Sequence, residues 1–507
     1  MAATPSPPSE VALARFLAQA SGARAVEITR LELLAGGAIQ QNWGFEAEFM
    51  GGSLHGRHAL VLRTDAETGI PWSVGRVEEF AVLKAVHAAG VTVPEPLFAG
   101  AGPAAIGKPF FVMRRLPGTA QGRIITTDPA LEPALPRVAA RLGEELARIQ
   151  TIRPPHPDLV FLQNPRPARQ IAAFRAYLDR HAQKRPVLEW AIRWLETHIP
   201  PPRPPVLCHR DFRTGNYLLD GGALTGILDW EFASWGDPDE DIGWFCCKGW
   251  RFARLDRAAG GIADRRPFYE AYEAASGRRL DPERVFFWEV LANLRWAIIA
   301  LQQSDRHLIG GARDLSTAIT GRRAGECELE LLMLLDADGA PTEIAPSPPP
   351  GERVPLPNPP PLAGEGRVGV CAGEGLRDRP SGLDLLALGR ELLLDELMPL
   401  LPESRHREVH LLATAIAIAR REEQAGDAPM NEIGNRLAAL YALSVPGGRE
   451  GVSADALLSR FATDLRNGAF ETSGPREGDA RAILWAMTID RLRESNPHFL
   501  AANGFGD

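Results

Sequence analysis

Between Val206 and Phe245 the chain reads VLCHRDFRTGNYLLDGGALTGILDWEFASWGDPDEDIGWF. Moving a phosphoryl group from a nucleotide to a hydroxyl calls for a carboxylate that accepts or orients the hydroxyl proton. It also calls for hard oxygen ligands that hold Mg²⁺ against the phosphates. Asp211 suits the first task. Asn216 and Asp229 suit the second, because one amide oxygen and one carboxylate leave room around the ion for phosphate and water. An Asp-x4-Asn spacing is common by chance and gains specificity from its surroundings: the preceding His209-Arg210, flanking apolar runs, and a second aspartate closing a further run. Asp and Asn are also turn formers, so a plain structural role between strands is the alternative for all three.

The elements that must position these residues can be read from patterning. Val206-Leu207-Cys208 is a short apolar strand that ends at His209, and Leu218-Leu219 begins another. After the Asp220-Gly221-Gly222 turn, Leu224 to Leu228 runs back and delivers Asp229 towards Asp211 and Asn216. Upstream, Leu33 to Phe49, His58 to Thr64 and Lys108 to Leu116 carry strand-like runs, while Val77, Phe80, Leu83 and Val86 recur at helical spacing within Arg76 to Ala89. This predicts a small sheet with one main helix over residues 1–117. From about residue 130 helical patterns dominate: Leu135, Val138, Leu142 and Leu146 share one face, and Phe286 to Gln303 reads as a further helix.

The motif set resembles the aminoglycoside phosphotransferase family. That family's catalytic section is a His-x-Asp-x4-Asn loop, an Ile-Asp-Trp-Glu-like strand end and a Gly-Asp-Pro-x-x-Asp turn. Here these are His209-Arg210-Asp211 with Asn216, then Ile227-Leu228-Asp229-Trp230-Glu231, then Gly236-Asp237-Pro238 with Asp241. The resemblance extends more weakly over residues 30 to about 330. It implies an α+β fold, a two-lobed protein-kinase-like domain with ATP in the cleft and Mg²⁺ as the metal. By the same resemblance Asp211 is the catalytic aspartate, Asn216 and Asp229 bind magnesium, and His209 and Asp241 support the loop from behind. Gly36-Gly37 stands where the family places its phosphate-covering turn, with an ordinary hairpin turn as the alternative. None of the chain's four lysines lies on the Ala59 to Arg63 strand, so Arg63 is the candidate nucleotide-positioning base. Glu79 is its expected ion-pair partner, and helical phase leaves Glu78 as a rival. Backbone groups near Met113 to Arg115 are candidates to pair with adenine. The closest-looking branch is the kinase-like domains associated with acyl-CoA dehydrogenases, which makes a hydroxyacyl-CoA or an aminoglycoside/sugar-like molecule the expected acceptor. The other class of function is a noncatalytic nucleotide-binding scaffold, against which the complete Asp211, Asn216 and Asp229 set argues.

Composition bounds the rest. The chain has 507 residues with a formal charge of -8, and no basic stretch gathers the local charge that nucleic acid binding requires. The five cysteines show no C-x-x-C pairing, so neither a zinc site nor a disulfide framework is indicated. The N-terminus lacks a secretory pattern and no run of about 20 apolar residues is present, so a cytoplasmic location without a membrane partner is expected. Residues 341–380 begin with PTEIAPSPPPGERVPLPNPPP, in which ten of 21 residues are proline, and continue glycine-rich. Such a stretch reads as a linker, because proline removes backbone donors and fixes φ. The expected organisation is thus an N-lobe over 1–117, a C-lobe over 118–340, a linker over 341–380 and a separate all-α domain over 381–507. That tail resembles small helical domains of unknown function found near such kinases, and its apolar helices suggest self-association or docking.

Overall fold

The protein is described here from a computed structural model, covering residues 7–34, 40–66, 73–102, 106–310, 314–335, 382–442, 452–471 and 475–505. Gly36, Gly37 and the proline-rich stretch of 341–380 lie outside the described residues.

Alternation along the first strands builds an antiparallel sheet of five: β1 (Val26–Leu33), β2 (Gln40–Phe49), β3 (Gly56–Asp65), β4 (Pro96–Gly100) and β5 (Phe110–Arg114), in the order β1-β2-β3-β5-β4. Trp43, Phe45, Ala47 and Phe49 of β2 fall on one face with Leu60 and Leu62 of β3 and Phe110 and Val112 of β5. Helix α1 (Glu10–Ser21) closes that face with Leu13 and Leu17. The residues between them, Val61 and Arg63 on β3 and Phe111 and Met113 on β5, therefore point the other way, into a cleft. Helix α2 (Arg76–Ala88) covers part of this second face and buries Glu79, Val82, Leu83 and Val86, a spacing of one helical stripe.

In the larger part of the same unit, helices dominate and the site segment runs through two small sheets. Strand β6 (Val206–Cys208) pairs with β9 (Ser234–Gly236), and β7 (Tyr217–Asp220) pairs with β8 (Ala223–Ile227). The β7–β8 turn needs glycine: Gly221 and Gly222 take φ of 54° and 83°. Beneath these strands the helix Leu135–Ile149 packs on the helix Arg265–Ser276 so closely that a Cβ at Gly143 would lie 2.4 Å from the Phe268 carbonyl oxygen. The helix Pro282–Leu308 is long and apolar enough to cross a membrane by length and composition, but most of that apolar stretch is buried. Val285, Trp288, Val290, Leu291 and Leu294 belong to the interior.

The chain divides into two compact units, Met1–Trp296 with Met333–Ile344 and Ala297–Leu332 with Ala345–Asp507. Composition alone groups residues 297–332 with the kinase-like part. Their side chains settle elsewhere: Leu329 packs with Leu492 and Leu500, Arg491 lies 3.0 Å from Glu328, Asn496 donates to Glu326 at 2.9 Å, and Arg322 pairs with Glu422. The second unit is therefore helical on both sides of the proline-rich stretch, and its other described helices include Glu403–Ala425, Ala428–Leu440, Ala454–Arg466 and Pro475–Ser495.

Candidate active site

The loop after β6 starts with Arg210 at φ 62°, a conformation that crowds an L side chain. Asp241 holds it there. One carboxylate oxygen accepts the His209 N–H and the other the Arg210 N–H, each at 2.7 Å. Burial, with Glu240 alongside, pushes the Asp241 carboxyl up to about 7. His209 lies wholly inside, and burial lowers its pKa despite the nearby carboxylates, so the ring is neutral. Its Nδ1 accepts the Asp211 N–H at 3.2 Å, which leaves the proton on Nε2 to be donated to the Leu228 carbonyl at 2.8 Å. This one imidazole ties the Asp211 loop to the residue before Asp229.

Asp211 is held from both sides. Its Oδ1 accepts from Arg213 Nε and from Trp244 Nε1, each at 3.0 Å, and its Oδ2 accepts from Asn216 Nδ2 at 2.6 Å. Burial raises this carboxyl, but Arg213, Arg295 and the Asn216 bond outweigh it and leave the pKa below the ordinary value. Asp211 is thus ionised near neutral pH. An ionised carboxylate only accepts, so Asn216 must turn its NH₂ towards Asp211, and its Oδ1 is the end left for another partner. The Leu228 N–H donates to the Asn216 backbone carbonyl at 2.8 Å, which brings Asp229 beside Asn216. Asp229 itself sits at φ 62° after β8.

The sheet delivers the cation. Arg63 is buried, with Nε 3.1 Å from the Glu79 carboxylate, NH1 2.6 Å from Asp229 Oδ1 and NH2 3.6 Å from Glu231. Burial works against its charge, yet Glu79, Asp229 and Glu231 together raise its pKa above the usual arginine value. Glu79, not Glu78, makes this pair, because Glu79 lies on the buried stripe of α2 and Glu78 on the exposed side. A second buried arginine, Arg76, also bonds Glu79 and lies 3.0 Å from Asp65 and 3.6 Å from Glu231. Glu231 in turn accepts from Ser73 Oγ at 2.8 Å and Gln40 Nε2 at 2.9 Å. Sequence reading missed Arg76, Glu231, Arg213 and Trp244. The first two could have been suspected from charge clustering near α2 and the Asp-Trp-Glu segment, the last two only from the fold.

Of these groups Arg63, Glu79 and Asp229 line a cleft of about 570 Å³, together with Val61, Leu83, Phe111, Met113, Leu218 and Ile227 and the segment Pro117 to Gln121. Its size and apolar walls suit a flat, base-like ligand. The Arg114 and Arg115 N–H groups are already engaged by the Glu95 and Ala59 carbonyls. Asn216 Oδ1 and Asp229 Oδ2 receive no hydrogen bond among the described residues, and no cluster of three or more His, Cys, Asp or Glu side chains forms an ion cage there. Asp229 lines the cleft and Asn216 is buried behind it in the chain's hydrogen-bond network, and two such oxygen donors fit Mg²⁺, which keeps water and takes phosphate oxygens instead of a full protein shell.

Residues 30–287 match the family model described as Phosphotransferase enzyme family, and residues 399–499 match a Domain of unknown function (DUF6285). Acyl-CoA dehydrogenase family member 10 of Mus musculus is 28% identical over 199 residues, 38% of this chain and 18% of that protein. Acyl-CoA dehydrogenase family member 11 of Gallus gallus is 31% identical over 202 residues, 37% of this chain and 25% of that protein. The chain thus matches a quarter or less of the length of these curated relatives. A solved structure from Ralstonia eutropha, assigned as an aminoglycoside phosphotransferase, aligns with TM-score 0.52 at 22% identity, covering 64% of this chain and 98% of its own. The likeness is one of fold: two lobes of protein-kinase type.

Proposed function

The chain belongs to the phosphotransferase enzyme family, and from that premise we propose that it moves the terminal phosphoryl group of ATP, with Mg²⁺, onto a hydroxyl of a small molecule. The observation that carries this reading is the ionised Asp211 carboxylate, bonded to Asn216, with Asn216 bonded in turn to the residue before Asp229.

In this reading the apolar cleft holds the base and Arg63, one of its lining residues, presents positive charge to the phosphates. Asn216 and Asp229 hold Mg²⁺, which when bound neutralises charge on the phosphates. Asp211 receives the acceptor hydroxyl and orients or takes its proton. Its pKa lies below the ordinary carboxylate value, so it is a weak base, and its main contribution is to fix the hydroxyl in line. His209 keeps the two aspartate loops in register while carrying no charge of its own. Arg63 and Arg76 hold Glu79 and Glu231, which ties the sheet, α2 and the Asp229 loop together.

The test is transfer of labelled γ-phosphate from ATP by the full chain, with hydroxyacyl-CoA and aminoglycoside acceptors assayed side by side. Mg²⁺-dependent transfer to either is expected. Nucleotide binding with no transfer to any hydroxyl, and no Asp211-dependent ATP consumption, would favour a noncatalytic scaffold instead.

A further inference from the structure

The Oδ1 side of Asp211 faces an unusual stack. The Arg213 guanidinium lies 4.6 Å over the Trp250 ring, and Arg295 lies 4.4 Å over Trp244. The two rings touch, with centroids 5.1 Å apart, and Trp250 meets Trp296 at 4.7 Å. Trp244 also donates to the Asp211 carboxylate. Oδ1 accepts from Arg213 and Trp244 and Oδ2 from Asn216, so an acceptor hydroxyl that reaches Asp211 along its Oδ1 edge does so beside these cationic and aromatic groups.

The charges there are unequal. Nearby Arg251 is matched by Glu289, Arg254 by Asp256 and Arg257 by Glu132, all ordinary structural pairs. Arg213 has Asp211 as its carboxylate, and its side chain stays about a quarter exposed, at 24%. Arg295 has no carboxylate within ion-pair distance among the described residues, and its NH1 donates to the Arg210 carbonyl at 2.9 Å. Burial without such a partner, with Arg210 close by, pushes Arg295 down to about 10. A guanidinium desolvated and stacked on an aromatic face with no carboxylate in ion-pair contact is a favourable place for an anion.

We propose that the acceptor is an anion: a small hydroxyl compound whose carboxylate or phosphate docks against Arg213 and Arg295 on the tryptophan stack, with its hydroxyl beside Asp211. This rests on the phosphotransferase reading and narrows its substrate class. A polycationic acceptor meets like charge at this wall and is rejected.

Calorimetric titration of the full chain saturated with ADP and Mg²⁺ tests the proposal with four probes: glycerate, glycerol 3-phosphate, glycerol and kanamycin. Glycerate or glycerol 3-phosphate should bind at least tenfold tighter than glycerol, and the better of the two identifies the anionic group. Kanamycin should not bind. Arg213→Gln and Arg295→Gln should each erase most of that preference, and Arg213→Lys should keep part of it, with thermal melts showing that each variant is folded. Equal binding of charged and neutral probes, no binding by any probe, or tighter binding of kanamycin would overturn the proposal. Transfer of labelled phosphate, measured on the same samples, reports separately on the phosphotransferase reading. Anion preference without transfer would contradict that reading and leave the charge preference standing.

Discussion

Arg63 performs three tasks with one side chain: Nε to Glu79, NH1 to Asp229 and NH2 beside Glu231. A lysine has one compact charge and cannot fork in this way. Arg63→Lys should raise the KM for ATP about tenfold, equivalent to ~1.4 kcal/mol, with a smaller change in kcat. Initial-rate kinetics would show it, and an unchanged KM would mean that the guanidinium shape does not matter. His209 makes a pH prediction. Its folded pKa lies below the ordinary 6.5. Above that value the ring is neutral folded and unfolded alike. As pH falls below it, the unfolded chain binds the proton first, so stability is lost from about pH 6.5 downwards until the folded ring also protonates. Urea melts of the wild type and of His209→Gln between pH 7 and 5 should differ in slope, the variant being flatter. Asp211, Asn216 and Asp229 could be singled out in the sequence because their spacing and motif company are local, whereas Arg63 and a glutamate of α2 came only from the family resemblance. Arg213 was in plain view two residues after Asp211, but its stacking partner Trp250 is brought to it only by the fold, and so is Trp244.

Among the elements, alternation pointed to β2 and a short apolar run to β3, the run being continuous because one face of β3 packs with α1 and the other on the cleft. Strand β4 and α1 were not anticipated. β4 is only five residues long, with every one of them partly exposed, so it carries no clean alternation. Helix α1 follows a proline-rich start and shows only two buried leucines, a sparse stripe. The choice between Glu78 and Glu79 needed the helix phase against β3, since adjacent residues lie about 100° apart and either could face the strand. The closest helix contact gives a sharp test: Gly143→Ala would drive a methyl group against the Phe268 carbonyl. The expected cost is ~1–3 kcal/mol in chemical denaturation. A variant as stable as wild type would show that the two helices can separate without penalty.

At the scale of the whole molecule, the proline-rich stretch is visible in composition, yet it does not mark where packing changes. The long helix Pro282–Leu308 crosses that division, and residues 297–332 pack with the C-terminal helices through Leu329, Glu328 and Glu326. Composition cannot see this, because a contact between Glu328 and Arg491 spans 163 residues. A chain ended at Ala340 would therefore expose Leu329 and leave the buried Glu328 without Arg491. It should melt at lower temperature and aggregate sooner than the full chain, as scattering during a thermal ramp would record. Equal melting and solubility would show that residues 297–332 do not depend on the C-terminal helices. Self-association through the tail is a separate proposal, read from its exposed leucines such as Leu385 and Leu388, and sedimentation of the full chain would test it.

The most direct test is a single-turnover measurement of γ-phosphate transfer from Mg²⁺-ATP by the full chain and by Asp211→Asn, each first shown to bind nucleotide. Asp211→Asn keeps the shape and the Arg63 assembly, so nucleotide affinity should stay within about twofold while the transfer rate falls by ~10²–10⁴. Transfer at the wild-type rate by Asp211→Asn would contradict the assignment of this carboxylate and the phosphotransfer geometry built around it.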